Sequence, residues 1–118
     1  MATRTPTVSY AQDGPYVIVT WTGLLNTDDG APVTFVDYPD RTAQVTGTFG
    51  VGGSLRIEGS IDGTNYAALT DPQGNDINIT AAKLELVTEL VKQIRPRITA
   101  GDGTTSLTCS MILRRSMR

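Results

Sequence analysis

The chain has 118 residues, of which 39% are hydrophobic, 19% charged and 6% aromatic, and its formal net charge is −2. This length favours one domain, and this composition argues against disorder and against membrane spanning. The sequence contains no histidine and one cysteine, which excludes His-based catalytic pairs, a disulfide framework within the chain and a cysteine-rich metal site. We therefore expect a binding or structural module without a cofactor or metal, not an enzyme.

The N-terminal segment, residues 1–15, has neither helical nor strand periodicity, and Pro6, Gly14 and Pro15 interrupt any ladder that it might join. We interpret it as an extended arm, which is either a frayed terminus or a segment that orders against a neighbouring subunit or partner. The candidate contact residues on this arm are Thr3, Arg4, Thr5, Pro6, Val8 and Tyr10. The segment lacks an apolar run of signal-peptide length, and no stretch reaches the roughly 20 apolar residues of a membrane helix. We expect a chain made and kept in a bacterial cytoplasm.

The first half of the remaining chain reads as β structure. Residues 16–22 are almost all β-branched or aromatic, which favours a strand. Short strands are predicted at residues 33–36 and, with alternating apolar side chains, at residues 42–49. The clearest alternation lies at residues 54–61, where it predicts that Glu58 is on a solvated face.

The second half continues the pattern with one ambiguous place. Strands are predicted at residues 66–69 and 77–80, whereas residues 81–90 combine helical propensity with alternating leucines and predict one helical turn followed by a strand. Residues 92–99 contain Pro96, which places this strand at an edge or its proline where no N–H is needed.

The last predicted strand completes an all-β fold. It covers residues 106–113 and points Cys109 inward between Leu107 and Met111, as a buried and unreactive thiol. About eight short strands with regular turn signals indicate an antiparallel, jelly-roll-like β-sandwich. We assign residues 16–118 to a single domain of this type, preceded by the arm at residues 1–15.

Few side chains suggest chemistry. The aspartates stand mostly beside Gly, Pro or Asn, where turn formation explains them better than a calcium site. Trp21 and Tyr66 are candidates for stacking on a glycan, although a core position is the more common place for a lone tryptophan. Arg114, Arg115 and Arg118 form the basic cluster of the sequence, as a solvated tail or as a contact for an acidic partner. The abundant threonines suit outward strand faces of low charge, as in protein contacts.

Two segments resemble small structural proteins of tailed bacteriophages. They are EGSIDGTNYAALTDPQG at residues 58–74, and IRPRIT at residues 94–99 followed by GDGTTSLT at residues 101–108. The resemblance implies a β-sandwich that decorates or cements the phage head. The motif within residues 58–66 is also similar to discoidin-like carbohydrate-binding jelly rolls, where it is mainly a structural hairpin.

The leading hypothesis is a capsid decoration or cement protein on the outer surface of a phage head, where it stabilises capsomer junctions. Its expected partners are the major capsid protein and further copies of itself, with a trimer favoured over a dimer; no nucleic acid or membrane is expected. The alternative is a carbohydrate-binding module, or a minor tail protein, that contacts host-surface glycans through Trp21 or Tyr66.

Overall fold

The computed structural model describes residues 2–11 and 14–115, which form an all-β sandwich of two sheets. The predicted fold class is confirmed. Eleven strands lie within these described residues, and no helix does. Their bounds are β1 Thr3–Arg4, β2 Thr7–Tyr10, β3 Tyr16–Leu25, β4 Asp29–Gly30, β5 Asp40–Thr48, β6 Ser54–Ser60, β7 Ala67–Ala68, β8 Asn78–Ile79, β9 Lys83–Val87, β10 Gln93–Ala100 and β11 Ser106–Arg114.

One sheet, which we call the five-strand sheet, has the order β2-β3-β11-β5-β9 and is antiparallel throughout. Its long central strands obey the period of two that the sequence predicts, with alternate side chains fully buried against the other sheet. These buried side chains include Val17, Val19, Trp21, Ala43, Val45, Cys109, Met111 and Leu113.

The opposing sheet has the order β1-β4-β10-β6-β7, and β8 also pairs with β6. Its pairs are antiparallel except for β1 with β4, which run parallel. Leu55, Ile57, Ile94 and Ile98 point from β6 and β10 into the core. The core is therefore a layer of aliphatic side chains around one tryptophan, consistent with the low aromatic content of the chain.

The N-terminal segment is part of both sheets instead of standing apart as an arm. β1 pairs with β4 in one sheet and β2 pairs with β3 in the other, so the chain crosses from one sheet to the other at Thr5 and Pro6. The sequence did not indicate this, because paired edge strands this short are too brief to show a periodicity.

Residues 81–90 contain no helical turn, contrary to the prediction. β9 forms here and pairs residue by residue with β5, from Val45 opposite Lys83 to Arg41 opposite Val87. The ladder therefore outweighs the helical propensity of the segment, as tertiary pairing commonly does. The strand predicted at residues 33–36 is also absent, and only a single bridge between Val33 and Ile94 forms there.

Pro96 lies in an inner strand, at a place where its missing N–H is not needed. The N–H groups of Ile94 and Ile98, on either side of it, donate to Val33 and Asp28. Pro96 has the same parity and faces the same edge, but opposite it β4 ends at Gly30. The second of the two predicted placements is the correct one. Within the described residues there is no helix long and apolar enough to cross a bilayer.

Candidate interaction surfaces

The outer side of the five-strand sheet is a surface without charge at its centre. Two adjacent rows of directly opposed residues cross all five strands, and every member is apolar or an uncharged polar residue. We call these two rows the uncharged face. The first row is Ser9, Ile18, Ile112, Thr42 and Leu86, and the second is Thr7, Thr20, Ser110, Gln44 and Leu84.

Apolar side chains are concentrated in this uncharged face. Ile18, Ile112, Leu84 and Leu86 are all among the exposed large hydrophobic residues of the chain. Their neighbours in the two rows are threonines, serines and Gln44, none of which carries a charge. Exposed apolar area without charge is typical of the centre of a protein–protein interface.

The dimensions of the five-strand sheet suit such a contact. Its two central strands β5 and β11 have nine residues each, and five strands at about 4.8 Å spacing give a face of about 24 by 30 Å at most. Allowing for the shorter edge strands, the area is about 600 Å², close to the roughly 800 Å² that each partner contributes to a standard interface.

Charged side chains lie at one end of the outer side of the five-strand sheet. The Arg114 side chain, one row beyond the uncharged face, donates to Asp40 at 3.0 Å, and the Arg115 guanidinium lies 5.3 Å from the centre of the Tyr38 ring. These two of the three predicted basic residues are thus engaged within the chain. The third, Arg118, lies outside the described residues.

The predicted arm residues are anchored by two buried aspartates. Asp28 accepts hydrogen bonds from the Ala2 N–H at 2.9 Å and from Arg4 Nε at 2.8 Å, and Thr3 donates to Asp29 at 2.8 Å. Burial alone would raise the pKa of Asp28, but hydrogen bonds from Leu25 and from these N-terminal groups hold the pKa below its usual value. Turn chemistry accounted for both aspartates in the sequence, so this anchoring role was missed.

Further along the N-terminus, the predicted contacts divide by exposure. Val8 and Tyr10 on β2 are exposed, Thr5 is exposed and Pro6 is half-buried. β2 is an edge strand of the five-strand sheet. Val8 and Tyr10 lie opposite the buried Val19 and Val17, so they are on the core-facing side of that sheet, exposed at its edge and away from the uncharged face, whereas Thr3 and Arg4 are in the other sheet.

The outer side of the opposing sheet has a different character, because Glu58 is buried there among arginines. Only 1% of the Glu58 side chain is exposed. Arg95, directly opposite on β10, lies 3.1 Å from its carboxylate, Arg97 lies 3.5 Å away, and Arg56 donates a further hydrogen bond. We call these four residues the Glu58 cluster. The prediction that Glu58 is a solvated residue is wrong.

The electrostatics of the cluster follow from this arrangement. Burial by itself would raise the pKa of Glu58, but hydrogen bonds and Coulombic attraction from Arg56 and Arg95 outweigh it and lower the pKa. Arg95 also lies 3.6 Å from Asp29, which links the cluster to the N-terminal anchor. The sequence did hold a signal, since an outward glutamate two residues from Arg56, beside a strand that carries Arg95 and Arg97, favours ion pairs along and across the strands.

The two predicted glycan-stacking residues are not available for that role. Trp21 is fully buried and its indole N–H donates to the Ala31 carbonyl at 3.0 Å. Tyr66 is half-buried, its hydroxyl donates to Gln93, and the Arg95 guanidinium lies 3.9 Å from the centre of its ring. A sugar would have to displace Arg95 from Tyr66, so the carbohydrate alternative loses its structural basis.

The remaining candidates have structural explanations. Cys109 is fully buried, and burial raises the pKa of its thiol to about 12, as its inward position predicted. The Asp62 carboxylate accepts hydrogen bonds from Ser60, Thr64 and Asn65 within one turn. No group of three or more potential metal ligands occurs in the described part of the chain.

Arg41 has a structural role that was not predicted from the sequence. Its side chain is buried and donates to the backbone carbonyls of Tyr38 at 3.1 Å, Phe35 at 2.9 Å and Glu89 at 3.4 Å. Arg41 therefore fixes the segments before β5 and after β9, next to the end of the uncharged face. The signal available in the sequence was a charged residue, Arg41, within a strand of alternating apolar residues.

Comparison with known proteins shows a likeness in fold. No protein-family model matches the chain, and a search of curated proteins found no match. Among solved structures, the chain is similar to the SPBc2 prophage-derived protein YomS, with a TM-score of 0.61, 9% identity, and coverage of 88% of this chain and 98% of that protein. It matches PliG from Aeromonas hydrophila, a periplasmic inhibitor of g-type lysozyme, with a TM-score of 0.46, 11% identity and 96% coverage of both chains. At 9% identity, the likeness to YomS establishes a shared fold.

Proposed function

We propose that this protein is a structural component of a phage particle that binds the outer surface of the capsid and stabilises capsomer junctions. The observation that carries the proposal is the uncharged face, which exposes Ile18 and Ile112 at the centre of a five-strand sheet. The fold shared with a prophage-derived protein supports the same class of role, and so does the resemblance of residues 58–74 to phage structural proteins.

A sheet surface with an uncharged centre suits attachment to a repetitive protein shell. The outer side of the five-strand sheet, about 600 Å², is close to the area of a standard interface, and the apolar residues at its centre would exclude water there. Because the major capsid protein repeats over the shell, each attached copy would add buried area across a junction. The proposed partner is therefore the major capsid protein, and the proposed location is the outside of the virion.

The edge strand β2 offers a proposed second contact beside the uncharged face. Val8 and Tyr10 are exposed on its other side, where they can contact a neighbouring subunit, which is the role predicted for them in the arm. Thr3 and Arg4 act instead by fixing the N-terminus to Asp28 and Asp29. In this arrangement the chain needs no disorder-to-order transition before it attaches.

The test uses heads purified from a phage that lacks this protein, to which the purified chain is added back. We expect the chain to sediment with the heads and to raise the temperature at which they release DNA. Ile112→Lys places a charge at the centre of the uncharged face and should abolish both effects, because an unpaired charge would be buried on attachment.

Val51→Lys is the matched control, since Val51 is 82% exposed and lies in the turn between β5 and β6, outside the uncharged face. It should bind and protect like the unmodified chain. Failure of the unmodified chain to bind heads, or binding by Ile112→Lys at full strength, would contradict the proposal. The urea midpoint of each variant verifies that it is folded.

A further inference from the structure

The edge strand β9 has a surface that is unusually open to pairing. It is five residues long and forms an unbroken ladder with β5, without a bulge. No other strand in the described residues pairs with it, so its second side is open. Leu84 and Leu86, which point outward from it, are 62% and 47% exposed.

Natural sheets usually protect such an edge with a proline, a bulge, a charged side chain, often one that points inward, or extreme shortness. The two-residue edge strands β1, β7 and β8 use the last device. β9 contains no proline or glycine. Lys83 and Glu85 lie on its core-facing side, opposite Val45 and Ala43, and are 3.5 Å apart, so each compensates the charge of the other. The charges of β9 therefore do not exclude a partner strand that offers the same pattern.

The charges of β9 indicate what covers it. In an antiparallel pair of two identical strands centred on Leu84, Lys83 of one copy lies opposite Glu85 of the other, and this happens twice. The two copies of Leu84 then face each other on the outer side. The register centred on Glu85 instead would place two like charges opposite each other, which is unfavourable.

We propose that β9 pairs with β9 of a second copy of this chain in the register centred on Leu84. The two five-strand sheets then become one continuous sheet around a two-fold axis that is perpendicular to it. Leu84 and Leu86 from both copies form one apolar patch across the seam. A trimer is the oligomer expected from the sequence, whereas pairing through a self-complementary edge gives a dimer.

A two-fold axis perpendicular to the sheet keeps both uncharged faces on the same side. The dimer would therefore offer two faces on one side, which suits the attachment to a repeating shell that we proposed above, because two linked contacts bind more tightly than one. The pairing itself rests only on β9 and can be measured without any capsid. Its failure would thus be distinguishable from failure of the proposed function.

The experiment is sedimentation velocity of the full chain at concentrations up to about 1 mM. Because only one five-residue strand pairs on each side, we expect a reversible dimer with a dissociation constant of about 0.1 mM. Lys83→Glu and Glu85→Lys each replace two attractive contacts with two repulsive ones, so each should weaken the dimer about tenfold.

Combining both substitutions in one chain restores opposite charges in the same register, so the double variant should dimerise like the unmodified chain. Lys92→Glu, at an exposed position outside β9, is the matched charge control and should leave association unchanged. A chain that stays monomeric at all concentrations overturns the proposal. So does dimerisation that ignores both single reversals, or a double variant that is folded by its urea midpoint yet fails to recover.

Discussion

Replacing Glu58 with glutamine tests whether the Glu58 cluster stabilises the sandwich. Glu58→Gln keeps the size of the side chain and one acceptor oxygen but removes the negative charge. Arg56, Arg95 and Arg97 then lie close together without their shared carboxylate. The variant should therefore be folded but less stable than the unmodified chain.

The magnitude follows from how much solvent each arginine can regain. Breaking a fully buried ion pair by removing one partner costs about 3–5 kcal/mol. The arginine side chains of the cluster are 20–45% exposed, so water compensates part of the loss, and Asp29 still attracts Arg95. We expect a decrease in the free energy of unfolding of about 2 kcal/mol, which is below the value for a fully buried pair and within the range for a hydrogen bond to a charged group.

Urea unfolding followed by tryptophan fluorescence measures this directly, because the single tryptophan, Trp21, is fully buried. A loss of about 2 kcal/mol corresponds to a midpoint lower by about 1 M urea. Glu85→Gln is the matched control, since its ion pair with Lys83 is a looser one at 3.5 Å and should be worth less than about 0.5 kcal/mol. A Glu58→Gln midpoint within error of the Glu85→Gln midpoint would refute the reasoning.

Three further predictions concern acid, the thiol and a tight glycine. In the fold, the pKa values of Glu58 and Asp28 lie below their ordinary values of 4.5 and 3.8, so the ionised carboxylates stabilise the fold at neutral pH. The urea midpoint should therefore fall as the pH decreases through and below 4.5 and 3.8, and a constant midpoint would contradict this. Cys109 should resist a thiol reagent at about pH 8 until urea unfolds the chain, and rapid labelling of the native protein would show that its burial is wrong. A Cβ at Gly30 would lie 2.6 Å from the buried indole ring, so Gly30→Ala should lower the free energy of unfolding by about 1–3 kcal/mol. Gly103→Ala is the control, because a Cβ at Gly103 would meet open space, and it should change the free energy of unfolding little. Equal effects of the two substitutions in urea unfolding would contradict the packing described.

The core could be predicted from the sequence where strands are long and buried on one side. Cys109 between Leu107 and Met111 is an example, because alternation over nine residues leaves one register that hides the apolar set. The N-terminal strands could not, since β1 has two residues and depends on Asp28 and Asp29, which lie far along the chain. Such pairing is decided by distant partners and has no local pattern.

The low charge of one surface could be predicted from the sequence, but the location of that surface could not. Abundant threonine predicted a face of low charge, and the structure locates it on the five-strand sheet. Glu58 was misassigned because alternation gives only the direction of a side chain, whereas its burial depends on arginines of another strand. The helical turn predicted within residues 81–90 failed for the same reason, since the ladder with β5 determines the conformation of β9.

The number of copies of this chain in purified phage particles, measured against the major capsid protein by quantitative mass spectrometry, tests the proposed function most directly. A protein that covers capsomer junctions over the whole head should be present in an amount comparable to the major capsid protein. Absence from the particle, or a few copies that stay with detached tails, would contradict a role in capsid decoration.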